Sequence, residues 1–217
     1  MPGYQVKFET LFIGDTSLKI RSLKDQLQYA DPDGSCERAG ISSATWPLFG
    51  LVWPSSLILA ETMRVHAIDG LKVLELGCGL GLASLIASQR GADITASDYH
   101  PLAASFLKEN IALNDFLPIK YERGNWEKLD SVTGKFDLII GSDLLYEPNH
   151  PHMLSEFIHY HSEKTVKVII VDPNRRQQSQ FTQKMLKLGY SLTIEMVKNS
   201  WAKALNYKGK VLSYSRG

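Results

Sequence analysis

The sequence predicts an α/β fold: a doubly wound, mostly parallel sheet of seven strands with an antiparallel C-terminal strand, preceded by a β-hairpin. From about residue 71, short β-branched or apolar runs alternate with longer amphipathic stretches, which is typical of successive βα units. The last two apolar runs follow one another without a helical stretch, so we expect them to pair antiparallel. Such an arrangement is Rossmann-like.

The N-terminal part, residues 1–45, is predicted to contain the hairpin and a loop. Two alternating runs, residues 4–13 and 17–23, surround a Gly-Asp-Thr turn, which indicates the hairpin. Residues 29–44 are rich in Asp, Pro, Gly and Ser, which favours a loop. A helix is then expected to begin at Pro54, because proline suits the first helical position.

The rest of the chain, residues 46–217, is predicted to form the core of the fold. Apolar residues recur at helical spacing in the stretches between the strands, with charged residues on the opposite face. The predicted strands cover residues 71–77, 92–98, 118–126, 135–143, 166–173, 190–198 and 208–217, and the predicted helices between the first six strands cover residues 81–91, 101–114, 151–163 and 175–189.

Length and composition indicate one globular domain over residues 1–217. The chain is 44% hydrophobic, enough for a single sizeable core. Its 24 basic and 23 acidic residues give a net charge of +1, so no nucleic-acid or membrane partner is indicated. The two cysteines, Cys36 and Cys78, lie far apart in unrelated contexts. The first residues show no export-signal pattern, and no apolar run approaches the length of a membrane span. We therefore expect a cytoplasmic protein.

The most informative segment is VLELGCGLGLAS, in which a buried strand and the acid Glu75 precede Gly77, Gly79 and Gly81. Glycines at alternate positions allow a tight turn and a close approach of ligand to backbone, while the following helix supplies free N–H groups. A purely structural turn would need one glycine rather than three. The segment therefore predicts a nucleotide-type pocket.

The ligand of this pocket is expected to be S-adenosylmethionine. The dinucleotide fingerprint G-x-G-x-x-G/A fails in both frames, because Leu82 and Ser84 stand where Gly or Ala is required. Glu75 would repel a pyrophosphate but suits the sulfonium and ammonium of S-adenosylmethionine. Asp98 ends the next strand, roughly 20 residues after the glycines, where an acid reaches the ribose hydroxyls.

Two further strand ends carry side chains that suit a ligand. Asn125 and Trp126 follow the third predicted strand, and the Trp126 ring is interpreted as an adenine contact rather than as core. The fourth strand ends abruptly with Asp143 and, three residues on, Tyr146. Because the carboxyl ends of parallel strands open into the ligand crevice, Asp143 and Tyr146 are expected to face a ligand.

These motifs resemble those of class I, seven-stranded methyltransferases, and among them the methyltransferase-16 group, which includes protein lysine methyltransferases. The stretches WPLFGLVWPSSLILA, VLELGCGLG, ITASDY, GNW and GSDLLYE occur in the group's order and spacing. The resemblance implies cofactor contacts at Trp53, the glycine turn, Asp98, Trp126 and Ser142, and catalytic substrate contacts at Asp143 and Tyr146. The chain has Gly-Asn-Trp where the group typically has Leu-Asp-Trp, so it lacks a carboxylate at position 125.

The function predicted from the resemblance is N-methylation of a protein side-chain nitrogen, lysine-like, with S-adenosylmethionine as cofactor. Enzymes that methylate planar amide or base nitrogens resemble one another in an Asn or Asp followed by Pro-Pro-Tyr. Leu144 and Leu145 stand in place of those prolines, which favours an aliphatic amine or an imidazole. Methylation of a small-molecule amine and a noncatalytic cofactor-binding module are the alternatives, and a nicotinamide dehydrogenase is a more distant one.

Several polar residues remain without an assigned role. His159 and His161 lie two apart on a predicted helix and do not share a face, so no metal site is predicted. His150 and His152 either line the substrate mouth or belong to a solvated loop. Asn174 and Arg175 follow the fifth strand and either contact substrate or cap a helix.

Overall fold

The computed structural model describes residues 3–28, 31–197 and 207–217 of the chain. Residues 29–30 of the predicted loop and the last residue of the sixth predicted strand, Lys198, lie outside these ranges. The strands are β1 (Val6–Ile13), β2 (Thr16–Leu23), β3 (Lys72–Leu76), β4 (Asp93–Ser97), β5 (Lys120–Glu122), β6 (Phe136–Ser142), β7 (Ser162–Asp172), β8 (Ser191–Met196) and β9 (Lys210–Arg216). The α-helices are α1 (Ser35–Arg38), α2 (Pro54–Val65), α3 (Leu82–Gln89), α4 (Ala103–Leu113), α5 (His150–His161) and α6 (Gln178–Lys187).

The seven-stranded sheet confirms the predicted fold class. Its strand order is β5-β4-β3-β6-β7-β9-β8, and only β9 runs against its neighbours. Successive side chains of a strand point to opposite faces. Accordingly, Leu138 and Ile140 pack with the cluster that includes α2, α3 and α4, whereas Ile139 packs with α5 and α6. Helices therefore cover both faces of the sheet, as the doubly wound prediction requires.

The N-terminal hairpin, β1 and β2, pairs antiparallel as predicted and is fastened to α4. The side-chain oxygens of Asn110 and Asn114 accept hydrogen bonds from the backbone N–H groups of Arg21 and Lys19, each at 2.8 Å. Asn110 is fully buried and also donates from Nδ2 to the carbonyl of Leu80. One side chain thus links the hairpin, α4 and the glycine-rich turn.

Two local predictions are wrong. The predicted loop contains helix α1, because the Asp31 carboxylate accepts hydrogen bonds from the backbone N–H groups of Cys36 and Glu37, each at 2.9 Å, and so caps the first turn. Strand β5 covers only Lys120–Glu122 of the nine residues predicted, since the sheet ends with it. Within the described part of the chain, none of the helices has the length and apolar character needed to cross a membrane.

Candidate active site

The glycine turn lies between β3 and α3 and has the backbone geometry that only glycine adopts easily. The φ angles of Gly77, Gly79 and Gly81 are +58°, +53° and +75°. A Cβ atom on Gly77 would lie 2.6 Å from the Leu144 side chain, and one on Gly79 would lie 2.7 Å from the carbonyl oxygen of Phe49. Neighbouring atoms therefore pack closely against one side of the turn, and a ligand can approach only its exposed side.

Glu75 lies under this turn, at the carboxyl end of β3. Its Oε2 atom accepts hydrogen bonds from the backbone N–H of Ser84, at 2.9 Å, and from the Ser84 hydroxyl. Burial raises the pKa of Glu75 to about 7, although the bonds from Ser84 act in the opposite direction. Among the residues that the structure describes, no Lys or Arg forms a salt bridge with this carboxylate.

Asp98 lies one residue beyond β4, the neighbour of β3 in the sheet. Its two carboxylate oxygens accept hydrogen bonds from the backbone N–H groups of Gly79 and His100, each at 2.8 Å. Burial raises the pKa of Asp98, while these backbone bonds lower it. Each oxygen keeps a lone pair after accepting one bond, so Asp98 can still receive hydroxyl donors.

The two carboxylates, which accept hydrogen bonds, fit S-adenosylmethionine. Glu75 and Asp98 are carboxylates on adjacent strand ends, and neither has a basic partner within residues 3–28, 31–197 and 207–217. Carboxylates of this kind are stabilised by a ligand that carries positive charge and hydroxyl donors but no phosphate. A separate cleft of about 460 Å³ is lined by Tyr99 and Asn125, the sequence neighbours of Asp98 and Trp126, together with Arg38, Arg123 and Lys128, and neither Glu75 nor Asp98 lines it.

Three aromatic rings form a row from the glycine turn towards the end of β6. The His150 ring packs edge-on against Trp126, at 5.2 Å between centroids, and against Tyr146, at 4.6 Å. The Nδ1 atom of His150 donates to the carbonyl of Leu144 at 2.6 Å, which leaves Nε2 as an acceptor. Trp126 is half-buried and lies 4.0 Å from the position that a Cβ on Gly77 would take.

The remaining residues that the resemblance assigns to the cofactor lie at the same edge of the sheet or border it. Trp53 precedes helix α2 and is half-buried; its Nε1 donates to the carbonyl of Leu48 at 2.8 Å. Ser142 is the last residue of β6, is half-buried, and pairs with Val171 of β7. Both positions leave part of the side chain accessible to a ligand.

Asp143 forms an ion pair that the sequence did not predict. Its carboxylate receives two parallel hydrogen bonds from Arg175, at 2.7 Å from Nε to Oδ1 and 2.9 Å from Nη2 to Oδ2. Asp143 has a positive φ of +55°, and its backbone N–H donates to the carbonyl of Val171 at 2.9 Å. This turn directs the carboxylate towards the end of β7, while Leu144 and Leu145 are buried.

A second carboxylate, Asp172, lies beside this pair at the end of β7. Its Oδ1 accepts the backbone N–H of Arg175 at 2.7 Å, and its buried Oδ2 has no hydrogen-bond partner in the described part of the chain. Burial raises the pKa of Asp172 to about 6, and the nearby Asp143 charge adds to the effect. Across the crevice, the Tyr207 hydroxyl lies 2.8 Å from the Ser55 hydroxyl at the start of α2.

The sequence predicted most of the residues at this edge of the sheet but missed those around the end of β7. The predicted residues Glu75, Asp98, Trp126, Asp143 and Tyr146 all lie at the carboxyl ends of β3 to β6 or in the loops that follow them. Asp172, Ser55 and Tyr207 were missed, and Arg175 was named only as either a substrate contact or a helix cap. The DPNRR stretch after a strand was a visible signal for Asp172 and Arg175, whereas nothing local in the sequence indicates that Tyr207 returns to Ser55.

Comparison with known proteins shows the family of the chain. Residues 44–188 match a family model, methyltransferase 16, described as lysine methyltransferase. The chain is 29% identical over 158 residues to the protein N-lysine methyltransferase METTL21A of Xenopus tropicalis, which covers 68% of this chain and 72% of that protein. It is 30% identical over 138 residues to the electron transfer flavoprotein beta subunit lysine methyltransferase of Xenopus laevis, which covers 61% of this chain and 55% of that protein. The chain thus spans little more than half of the second relative.

Solved structures share the fold at low sequence identity. The magnesium protoporphyrin IX methyltransferase of Synechocystis PCC 6803, solved with S-adenosylmethionine bound, superposes with a TM-score of 0.58 at 18% identity. The alignment covers 74% of this chain and 76% of that chain. At this identity the similarity supports the fold alone.

Proposed function

This chain belongs to the methyltransferase-16 family of lysine methyltransferases, and we propose that it methylates the side-chain nitrogen of a lysine in a protein. It is an S-adenosylmethionine-dependent methyltransferase. The two relatives described above are named for methylating protein lysines, which supports the same substrate class here.

The observation that carries the proposal is the combination of a carboxylate and an aromatic ring where β6 ends beside the glycine turn. Tyr146 is 42% exposed and can wall a narrow channel for an aliphatic side chain, while Asp143 offers acceptor oxygens at the same place. Leu144 packs against the positions of Gly77 and Gly141, so the backbone between Asp143 and Tyr146 is anchored to the core. Such a channel suits a flexible chain that ends in one nitrogen.

When bound, S-adenosylmethionine would supply an electrophilic methyl group on its sulfonium for transfer to the lone pair of the amine nitrogen. We assign the ribose hydroxyls to Asp98, the adenine ring to Trp126 and the positively charged end to Glu75 beneath the glycine turn. Trp53 and Ser142 border this pocket from α2 and β6. Asp143 and Tyr146 orient the incoming nitrogen, since the displacement needs a neutral nucleophile held in line.

We also propose that the enzyme works in the cytoplasm on a protein partner. Cys36 and Cys78 are both buried and are not joined in a disulfide, which suits a reducing compartment. The near-zero net charge provides no general attraction to nucleic acid or to anionic membranes.

Labelled S-adenosylmethionine and a cell extract test the substrate class. Label should enter the protein fraction, should be lost from it after protease digestion, and should be recovered as methyl-lysine after acid hydrolysis. The Asp98→Ala variant, tested for correct folding, is the matched control and should transfer almost no label. Label that stays in small molecules, or that appears only as methyl-histidine, would contradict the proposal.

A further inference from the structure

Arg175 occupies both carboxylate oxygens of Asp143 at the place where the proposed lysine enters. The two bonds have the parallel geometry of a guanidinium and a carboxylate that face each other side by side. The Arg175 side chain is 41% exposed, whereas that of Asp143 is 14% exposed. The pair therefore forms part of the crevice wall, with the arginine on its outer side.

The charge of Asp143 matters because of how lysine reacts. A lysine side chain has a reference pKa of about 10.4, so at neutral pH it arrives as an ammonium without a lone pair. An unpaired carboxylate a few ångströms away would stabilise that ammonium and raise its pKa, typically by about 1–3 units. Asp143 alone would bind the substrate in its unreactive form.

We propose that Arg175 is a positioning residue that neutralises Asp143, so that the substrate lysine loses its proton to solvent and meets the cofactor as a free amine. The Asp143 oxygens retain lone pairs, so they still accept a hydrogen bond from that amine. This inference rests on the proposed function, because it concerns the amine that the function names.

Arg175 is held in place by hydrogen bonds of its own loop as well as by Asp143. Its backbone N–H donates to Asp172 Oδ1, and the preceding Asn174, at a φ of +69°, donates from its side chain to the carbonyl of Lys208. Both ends of the turn after β7 are thereby fixed. If Arg175 moved away from Asp143 when substrate binds, these hydrogen bonds would break. They therefore favour an Arg175 that stays beside Asp143.

The other ionisable groups that act on the pair come from several elements around it. They are Asp172 at the end of β7, Tyr146 in the loop after β6 and Tyr207 before β9, while Glu147 and Asp98 act on Tyr146. Above pH 7.5 Asp172 is ionised, since its pKa is about 6, and both tyrosines are neutral, since burial raises their pKa values to about 12. The charge of Arg175 is then the main difference between the wild type and a variant without it.

The first test is the pH dependence of protein methylation between pH 7.5 and 10.5, measured as the initial rate of label transfer to extract proteins. In Arg175→Gln the apparent pKa at which the methylation rate rises with pH should increase by about one pH unit or more. The rate at pH 7.5 should fall about tenfold. Arg176→Gln removes a neighbouring exposed arginine that does not pair with Asp143, so its profile should match the wild type. The double variant Arg175→Gln/Asp143→Asn should return this apparent pKa towards the wild-type value, although its rate stays low.

The second test measures cation binding without turnover, by calorimetry with n-butylammonium as the probe. Arg175→Gln should bind the probe several-fold more tightly than the wild type at pH 7.5, because its carboxylate is unpaired, and Arg176→Gln should not. An unchanged profile with unchanged probe binding, or higher activity of Arg175→Gln at pH 7.5, would overturn the inference while methyl-lysine formation by the wild type still stood. A wild type that forms no methyl-lysine would overturn the proposed function and this inference together.

Discussion

The Asp98 carboxylate accepts a hydrogen bond from the backbone N–H of Gly79 at 2.8 Å, so the acid at the end of β4 braces the glycine turn that follows β3. Its second oxygen accepts the N–H of His100. The same side chain therefore shapes the turn and presents its remaining lone pairs to the crevice. These two roles can be separated by substitution.

Asp98→Asn keeps one acceptor oxygen but loses the charge, and Asp98→Ala loses both. We expect Asp98→Ala to weaken binding of S-adenosylhomocysteine by about 1.5–3 kcal/mol, the loss that accompanies charge-assisted hydrogen bonds. Asp98→Asn should lie between the wild type and Asp98→Ala. Calorimetry measures the affinity of each variant for S-adenosylhomocysteine. If both variants fold and bind it as tightly as the wild type, the ribose does not bind at Asp98.

Affinity for S-adenosylmethionine should rise with pH because of Glu75. In the free protein the pKa of Glu75 is about 7, so at pH 6 the group is mostly protonated and at pH 8 mostly ionised. A cationic ligand favours the ionised form, and binding at pH 6 must first remove a proton. Titration calorimetry at both pH values should show tighter binding at pH 8, and Glu75→Gln should reduce the difference. A Glu75→Gln variant with the full pH dependence would assign that dependence to another group.

Asp172 should lower the stability of the folded protein at neutral pH. Its pKa is about 6 in the folded state against 3.8 for the free group, so the folded protein holds the proton more firmly between these values. The free energy of unfolding contributed by this group therefore falls as pH rises from about 4 to 6 and stays low above it. Asp172→Asn should raise the free energy of unfolding at pH 7.5 by about 1–3 kcal/mol, and by much less at pH 4.5. Urea unfolding at the two pH values measures this, and equal effects at both would show that the charge is not the cause.

The sequence determined the fold well because its signals were local and repeated. Each βα unit carries its own alternation of apolar and amphipathic stretches, and the glycine turn carries three positive-φ positions together with an acid. The α1 helix was missed because a single Asp31 side chain caps it inside a stretch whose composition favours a loop. Local composition cannot show which acid reaches which N–H group.

In the candidate site, positions at strand ends could be predicted, but pairings between distant residues could not. Asp143 and Tyr146 stood out because they end an apolar run. That Asp143 is held by Arg175, 32 positions later, depends on the register of β6 against β7 and on the left-handed turns at Asp143 and Asn174. Such pairings follow from tertiary geometry, to which sequence patterns give no direct access.

We assign Asp143 and Tyr146 to contacts with the substrate rather than to cofactor binding or to stability. Asp143→Asn preserves the shape of the turn, since asparagine tolerates a positive φ, and Tyr146→Phe preserves the ring. The larger loss of turnover is expected for Asp143→Asn, on the order of 100-fold, because asparagine loses the two-bond pair with Arg175 and offers the amine only one, uncharged acceptor oxygen. Tyr146→Phe should reduce turnover less than Asp143→Asn does, and Tyr146→Ala should reduce it more than Tyr146→Phe does.

The most direct test is to measure protein methylation, S-adenosylhomocysteine affinity and melting temperature on the same preparations of Asp143→Asn and Tyr146→Phe. We expect methylation to fall while cofactor affinity and melting temperature stay close to those of the wild type. Variants that melt earlier but keep full activity per folded molecule would contradict it, because Asp143 and Tyr146 would then serve only the structure.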